Sequence, residues 1–187
     1  MTYIYSVVIS DNWNIFAGVN RLNMEKLDTS GVKILKIFHL IFSMMWVVGV
    51  MAMAVISLQK AQSGDELYMI LRISRVIDDT LVIPGAVSTV ITAIVYGVFT
   101  NWGFFKHKWM IVKWVLSLLI IIAGTFYFSP LLDNSLEIAN TTRDAALNNP
   151  EVLRGSRISA LGALVQGGLL IFAIVISVEK PWKAKRK

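Results

Sequence analysis

Two ionisable side chains interrupt stretches that are otherwise apolar and uncharged. His39 stands in Ile37-Phe38-His39-Leu40-Ile41-Phe42, and Lys113 in Met110-Ile111-Val112-Lys113-Trp114-Val115. Such groups are costly in hydrocarbon, so each calls for a partner or a task. A neutral imidazole is a good iron ligand, and helix bundles hold cofactors between their helices. Lysine ligates as the neutral amine, and Met110, one turn before Lys113, offers a thioether. The same residues have plainer readings. Lys113 can snorkel its ammonium to the membrane surface, and His39 can hydrogen-bond a backbone carbonyl, Ser43 or Gln166. A quinone site or a proton path would use the same pair. The second histidine, His107, lies between Lys106 and Lys108 and reads as solvated. With no cysteine and two histidines, the chain has no disulfide frame, no thiolate site and too few imidazoles for a three-histidine zinc site.

The elements that must position these residues are membrane helices. Of 187 residues, 56% are apolar and 16% charged, and the mean hydropathy is +0.64. An ordinary soluble chain is about 25% charged, and a domain of this size leaves too much surface in water to hide the apolar excess. An ordinary soluble enzyme, a disordered chain and a nucleic-acid reader are excluded, despite a pI near 9.7. Residues 37–58, 80–105, 114–132 and 158–178 form runs of 22, 26, 19 and 21 residues, interrupted by His39 alone among His, Asp, Glu, Lys and Arg. About 20 apolar residues cross the hydrocarbon core, and no period-two alternation marks barrel strands. The sequence therefore predicts an all-α integral membrane four-helix bundle, one domain over 1–187. Its spans lie at 33–58, 80–103, 109–131 and 158–178, in a lipid bilayer and with no nucleic-acid partner. Residues 1–31 mix Asp11, Arg21, Glu25 and Lys26 with apolar types, unlike a cleaved signal peptide.

Charge orients the spans. Arg21, Lys26, Lys33 and Lys36 precede the first, Lys106 and Lys108 join the second to the third, and Lys180, Lys183, Lys185, Arg186 and Lys187 end the chain. These eleven bases face four acids, Asp11, Glu25, Asp28 and Glu179, whereas the other two loops carry six bases and eight acids. The positive-inside rule puts both termini in the cytoplasm, with the tail able to grip anionic lipid. The apolar stripe in 66–79 predicts a short helix in one outer loop. Residues 131–147 form a second candidate, lying at the interface, and Tyr3, Ile4, Tyr5, Val7, Val8, Ile9 and Trp13 an interfacial arm. Ala163 and Gly167, and Ser88 and Thr92, are small-xxx-small pairs suited to helix contacts within the bundle or to a homo-oligomer face. Pro84-Gly85 should kink or loosen the start of the second span. Asp78 and Asp79 are placed to pair with Arg75.

The topology gives depths. His39 lies about 4.5 Å along the axis beyond Lys36, and Lys113 about 7.5 Å beyond Lys108, both from the cytoplasmic side. The two side chains thus reach similar depth in the inner leaflet and can face one another across the bundle. A haem there would set its macrocycle in the apolar core and its propionates toward Lys33, Lys36, Lys106 and Lys108. One intramembrane histidine excludes bis-histidine ligation within a monomer, leaving the sixth position empty or filled by Lys113, Met110 or a residue of another helix.

At these residues the chain resembles a known family. Lys36-x-x-His39-x6-Trp46-x-x-Gly49 and Trp109-x3-Lys113 are similar to the pattern of HemJ, the four-helix membrane protoporphyrinogen IX oxidase, and more loosely to the copper-resistance D membrane domain. Asp78-Asp79-Thr80-Leu81-Val82-Ile83-Pro84-Gly85 resembles small uncharacterised bacterial membrane proteins related to both. The resemblance spans 33–130 and implies a bacterial inner-membrane protein. It further implies haem b bound by His39, with Lys113, Trp46 and Met110 about the cofactor and Lys113 the candidate second metal ligand. HemJ continues past its third helix with a further histidine and a basic segment, whereas this chain has Tyr127-Phe128-Ser129-Pro130 and no histidine. The resemblance therefore implies the haem site more than porphyrinogen oxidation.

Three functions follow as expectations. The first is a haem b protein with a redox, electron-transfer or haem-handling role and a redox partner. The second is a transporter for copper or another small solute, since thioethers suit Cu(I) and Met44, Met45, Met51 and Met53 lie on the first helix. The third is a non-catalytic accessory subunit of a membrane complex.

Overall fold

The computed structural model describes residues 26–100, 104 and 107–180. The apolar arm expected at 3–13 and the bases Arg21, Lys106, Lys183, Lys185, Arg186 and Lys187 lie outside the described residues. Among the described residues every regular element is helical. In chain order these are α1 (Thr29–Ser57), α2 (Gly64–Ile77), α3 (Ile83–Phe99), α4 (Lys108–Ala123), α5 (Ser129–Thr142) and α6 (Pro150–Glu179). A π-helical turn, Asp78–Val82, joins α2 to α3, another, Gly124–Phe128, joins α4 to α5, and a 3₁₀ turn, Arg143–Asn148, precedes α6. Four continuous rods result, Thr29–Ser57, Gly64–Phe99, Lys108–Asn148 and Pro150–Glu179, each long and apolar enough to cross a membrane.

Local sequence chemistry explains the starts and joints. Asp28 caps α1 by accepting from the Gly31 N–H at 2.8 Å. Ser63 caps α2 by accepting from Glu66 N–H, while the Glu66 carboxylate reaches back to Gln62 N–H at 2.7 Å. Asn149 caps α6 ahead of Pro150, which needs no donor at that position. Both π-turns sit just before a proline, Pro84 and Pro130, at the second position of the helix that follows. A proline ring clashes with the carbonyl four residues back, and a widened turn absorbs that clash without ending the rod. Ile83 N–H and Ser129 N–H accordingly reach five residues back, to the carbonyls of Asp78 and Gly124. This corrects the expectation of separate short helices in the outer loops. The helical stretches are there, but as prolongations of the second and third spans.

α1 is central. It packs on α3 along one side and on α6 along the other, while α4 packs chiefly on α6. Gly85 lets α3 close on α1, since a Cβ there would lie 2.7 Å from Trp46 N. Gly167 likewise receives Met51, so this member of the small-residue pair serves a contact inside the bundle. Trp46, Val50, Ala86, Ile120 and Leu170 form a buried core at mid-bundle. A second core, with Leu71, Leu132, Ala139, Ala146 and Val152, binds α2, α5 and the 3₁₀ turn into a cap at one end. Arg75 ties the cap together, pairing with Asp78 and Asp79 as expected and also reaching Asp133 and Ser129 across to α5. The opposite end, where α1 and α4 begin and α3 and α6 finish, is termed basal below. The outward faces carry Ile37, Phe38, Ile41, Val87, Leu118 and Val165, each about half exposed, as lipid-facing side chains are.

Candidate functional site

The basal half holds the polar residues that composition singled out. His39 lies on the α1 face that also carries Trp46, Val50 and Ala54, and so points into the bundle. Its Nδ1 is 2.8 Å from Thr92 Oγ1 on α3. Thr92 has one hydroxyl hydrogen, and that oxygen lies 2.7 Å from the Ser88 carbonyl and 3.0 Å from that of Thr89. When that hydrogen goes to a main-chain acceptor, Thr92 accepts from the ring. In that arrangement His39 carries its proton on Nδ1, and Nε2 keeps its lone pair. Nε2 has no hydrogen-bond partner among the described residues. The Thr89 main chain adds a weaker contact to the imidazole, and the Tyr96 ring meets it edge-on at 5.8 Å. Tyr96 is itself tied to α1 through its hydroxyl and the Val32 carbonyl, 3.4 Å. The Thr89 hydroxyl oxygen is buried and without a partner.

Lys113 stands half-buried on α4, with no ion pair or hydrogen bond among the described residues, near enough to His39 to act on it electrostatically. α6 serves as a ruler for the two. Met51 of α1 meets Gly167, and Gly124 at the top of α4 meets Gln166. Counting back from those contacts, His39 and Lys113 stand within about 3 Å of one height. α4 has no extensive contact with α1 or α3 among the described residues, so helix-on-helix packing does not close the space between the two side chains. Trp46, two turns capward of His39, is 3% exposed and lies in the mid-bundle core. Met110 is half-buried in the first turn of α4.

Other expectations meet different surroundings. His107 is half-buried and stacks on Trp109 at 5.9 Å rather than standing in solvent. Ser43 donates to the His39 main-chain carbonyl at 2.7 Å and does not touch the ring. Gln166 lines a cavity nearer the cap. The ring's actual partner, Thr92, was read from sequence as half of a packing pair. The signal for it was a polar stripe, Thr89, Thr92, Tyr96 and Thr100, at helical spacing within an apolar span. The methionines of α1 occupy three settings: Met44 is 62% exposed, Met51 meets Gly167, and Met53 joins the cap core.

The donor set bears on what the site can hold. Among the described residues no three or more His, Asp or Glu side chains gather as a metal site. One imidazole and one amine are too few for a bare zinc or copper ion, which takes three or four protein ligands. They match an iron that brings a porphyrin's four nitrogens and needs one or two ligands from the chain. No family profile, curated protein or solved structure matches the chain.

Proposed function

We propose that this chain is a multi-pass protein of the bacterial inner membrane, with both termini cytoplasmic, that binds haem b through His39 in the basal half of the bundle. Its role is electron transfer, redox chemistry or haem handling. The observation that carries the reading is the setting of His39: Nδ1 hydrogen-bonded to Thr92, Nε2 without a hydrogen-bond partner among the described residues, and Lys113 near enough to act on the ring electrostatically. A ligating histidine is ordinarily fixed in this way, by a hydrogen bond at its other nitrogen.

In this reading His39 Nε2 would bind the haem iron, Lys113 would be a second ligand or a group that offsets charge, and Trp46 and Met110 would lie about the cofactor. Lys33, Lys36 and Lys108 stand at the basal rim, exposed and suited to propionates. The haem supplies one-electron chemistry at its iron. The narrower reading, HemJ-like porphyrinogen oxidation, rests on the same residues, and rescue of a strain lacking its own porphyrinogen oxidases tests it.

The deciding experiment is an absorption spectrum of the detergent-purified protein, oxidised and dithionite-reduced, beside His39→Ala and Lys113→Ala. A Soret band lost in His39→Ala is the expected result, and a shifted band in Lys113→Ala makes Lys113 the sixth ligand. Full haem content in His39→Ala overturns the proposal, as does the lack of a Soret band after haem is added back.

A further inference from the structure

A partly open cavity lies at the other end of the bundle. A cavity of about 800 Å³ is walled by α1 and α6 on one side and by α2, α5 and both π-turns on the other. That volume is in the range of small-molecule sites. Val50, Val82 and Gly124 lie at its floor, and Leu67, Leu71 and Leu132 on its walls. The Trp46–Ile120 core separates it from His39.

Helix contacts fix the heights of its polar residues. Gly49 meets Val82, so Asp78, one turn further toward the cap, stands low in the cavity, near the level of Gln166 across from it. Lys60 follows the end of α1, and Arg157 lies ten residues capward of Gly167 on α6; both line the cavity nearer its mouth.

The charges at the two levels differ in surroundings. Arg75 is shared among three carboxylates, and the longest of its contacts, 3.6 Å, goes to Asp78. The Asp78 side chain is 14% exposed, against 49% for Asp79 and 54% for Asp133. Asp78 is thus the most enclosed of the three acids and the least firmly paired, and it borders the cavity. Across the cavity, the Gln166 amide has no hydrogen bond among the described residues, leaving its oxygen as an acceptor. Lys60 and Arg157 are exposed, so water and salt screen them. Attraction at a given distance is about four times stronger at an effective dielectric near 20 than in water. The floor's negative charge therefore outweighs the mouth's positive charges in selecting a ligand.

We infer that this cavity binds a lipophilic amine, an apolar molecule with one protonated nitrogen, seated with the nitrogen at Asp78 and the apolar body among the leucines of α2 and α5. The site is independent of the haem reading.

Calorimetry on the full chain in lipid nanodiscs, with empty nanodiscs subtracted, tests this using hexylamine, hexanol and hexanoate, which share a chain length and differ in charge. Hexylamine binds, and hexanol and hexanoate bind about tenfold or more weakly. Asp78→Asn brings hexylamine down to the level of hexanol while hexanol is unchanged, which also shows that the variant is folded. Ala163→Phe, which fills the cavity from α6, removes hexylamine binding, and His39→Ala leaves it intact. The inference is overturned if hexanoate binds best, if amine and alcohol bind alike, if Asp78→Asn has no effect, or if none of the three compounds binds.

Discussion

Thr92→Val separates a positioning hydrogen bond from bulk packing at the proposed haem site. Valine keeps the shape of threonine and removes the acceptor 2.8 Å from His39 Nδ1. A buried donor left without its acceptor costs about 1–3 kcal/mol. Here the Thr89 main chain, already in weak contact with the ring, recovers part of that loss, which leaves about 1–2 kcal/mol. At 1.4 kcal/mol per tenfold, haem affinity falls roughly 5- to 30-fold, in line with the 10- to 100-fold typical of partners to metal-bound histidines. The assay is haem titration of the apoprotein in detergent, followed at the Soret band, with loss to an excess of a soluble haem acceptor giving the off-rate. Thr92→Val should bind more weakly yet keep the wild-type band position, because the axial ligand is unchanged. Thr92→Ser, which retains the hydroxyl, should stay within about twofold of wild type. Wild-type affinity in Thr92→Val, or equal weakness in Thr92→Ser, refutes the role given to this oxygen.

Gly85→Ala sets a Cβ 2.7 Å from the Trp46 main-chain nitrogen, so α1 and α3 must part. Overpacking of this kind costs about 1–3 kcal/mol and should lower the detergent Tm, whereas Gly168→Ala, with nothing within 4 Å, should not. The chain has no cysteine, so single substitutions report topology directly. An impermeant maleimide should label Ala145→Cys in intact cells and Lys36→Cys only after lysis, and the reverse pattern refutes the orientation.

The spans were legible because hydrocarbon tolerates no charge over some twenty residues, and the uncharged runs end where Lys, Arg and Asp begin. The similar depth of His39 and Lys113 was legible in the same way, by counting residues from the flanking lysines. The partner of the His39 ring was not, because register between helices depends on close approaches such as Gly85 on Trp46 and Gly167 on Met51, which a linear pattern does not encode. Thr92 has the size of a packing residue, and only its place opposite Nδ1 gives it a second role. The capward cavity was hidden for another reason. Pro84 was visible as a disturbance, yet a proline can end a helix, bend it or, as at Pro84 and Pro130, be absorbed by a widened turn. The last outcome carries α2 and α5 past the spans and stacks them into a cap.

The packing order also bears on biogenesis. α1 and α3 are neighbours that can meet once the second hydrophobic segment has left the translocon. α4 leans chiefly on α6, the last span to be made. Until α6 arrives, Lys113 waits in the bilayer without the neighbours that enclose it, and His39 faces only half a site. If the pair holds a cofactor as proposed, its capture is deferred to the end of synthesis, and a chain cut short before residue 150 is left with an exposed intramembrane lysine, a feature by which quality control can tell an unfinished molecule from a finished one.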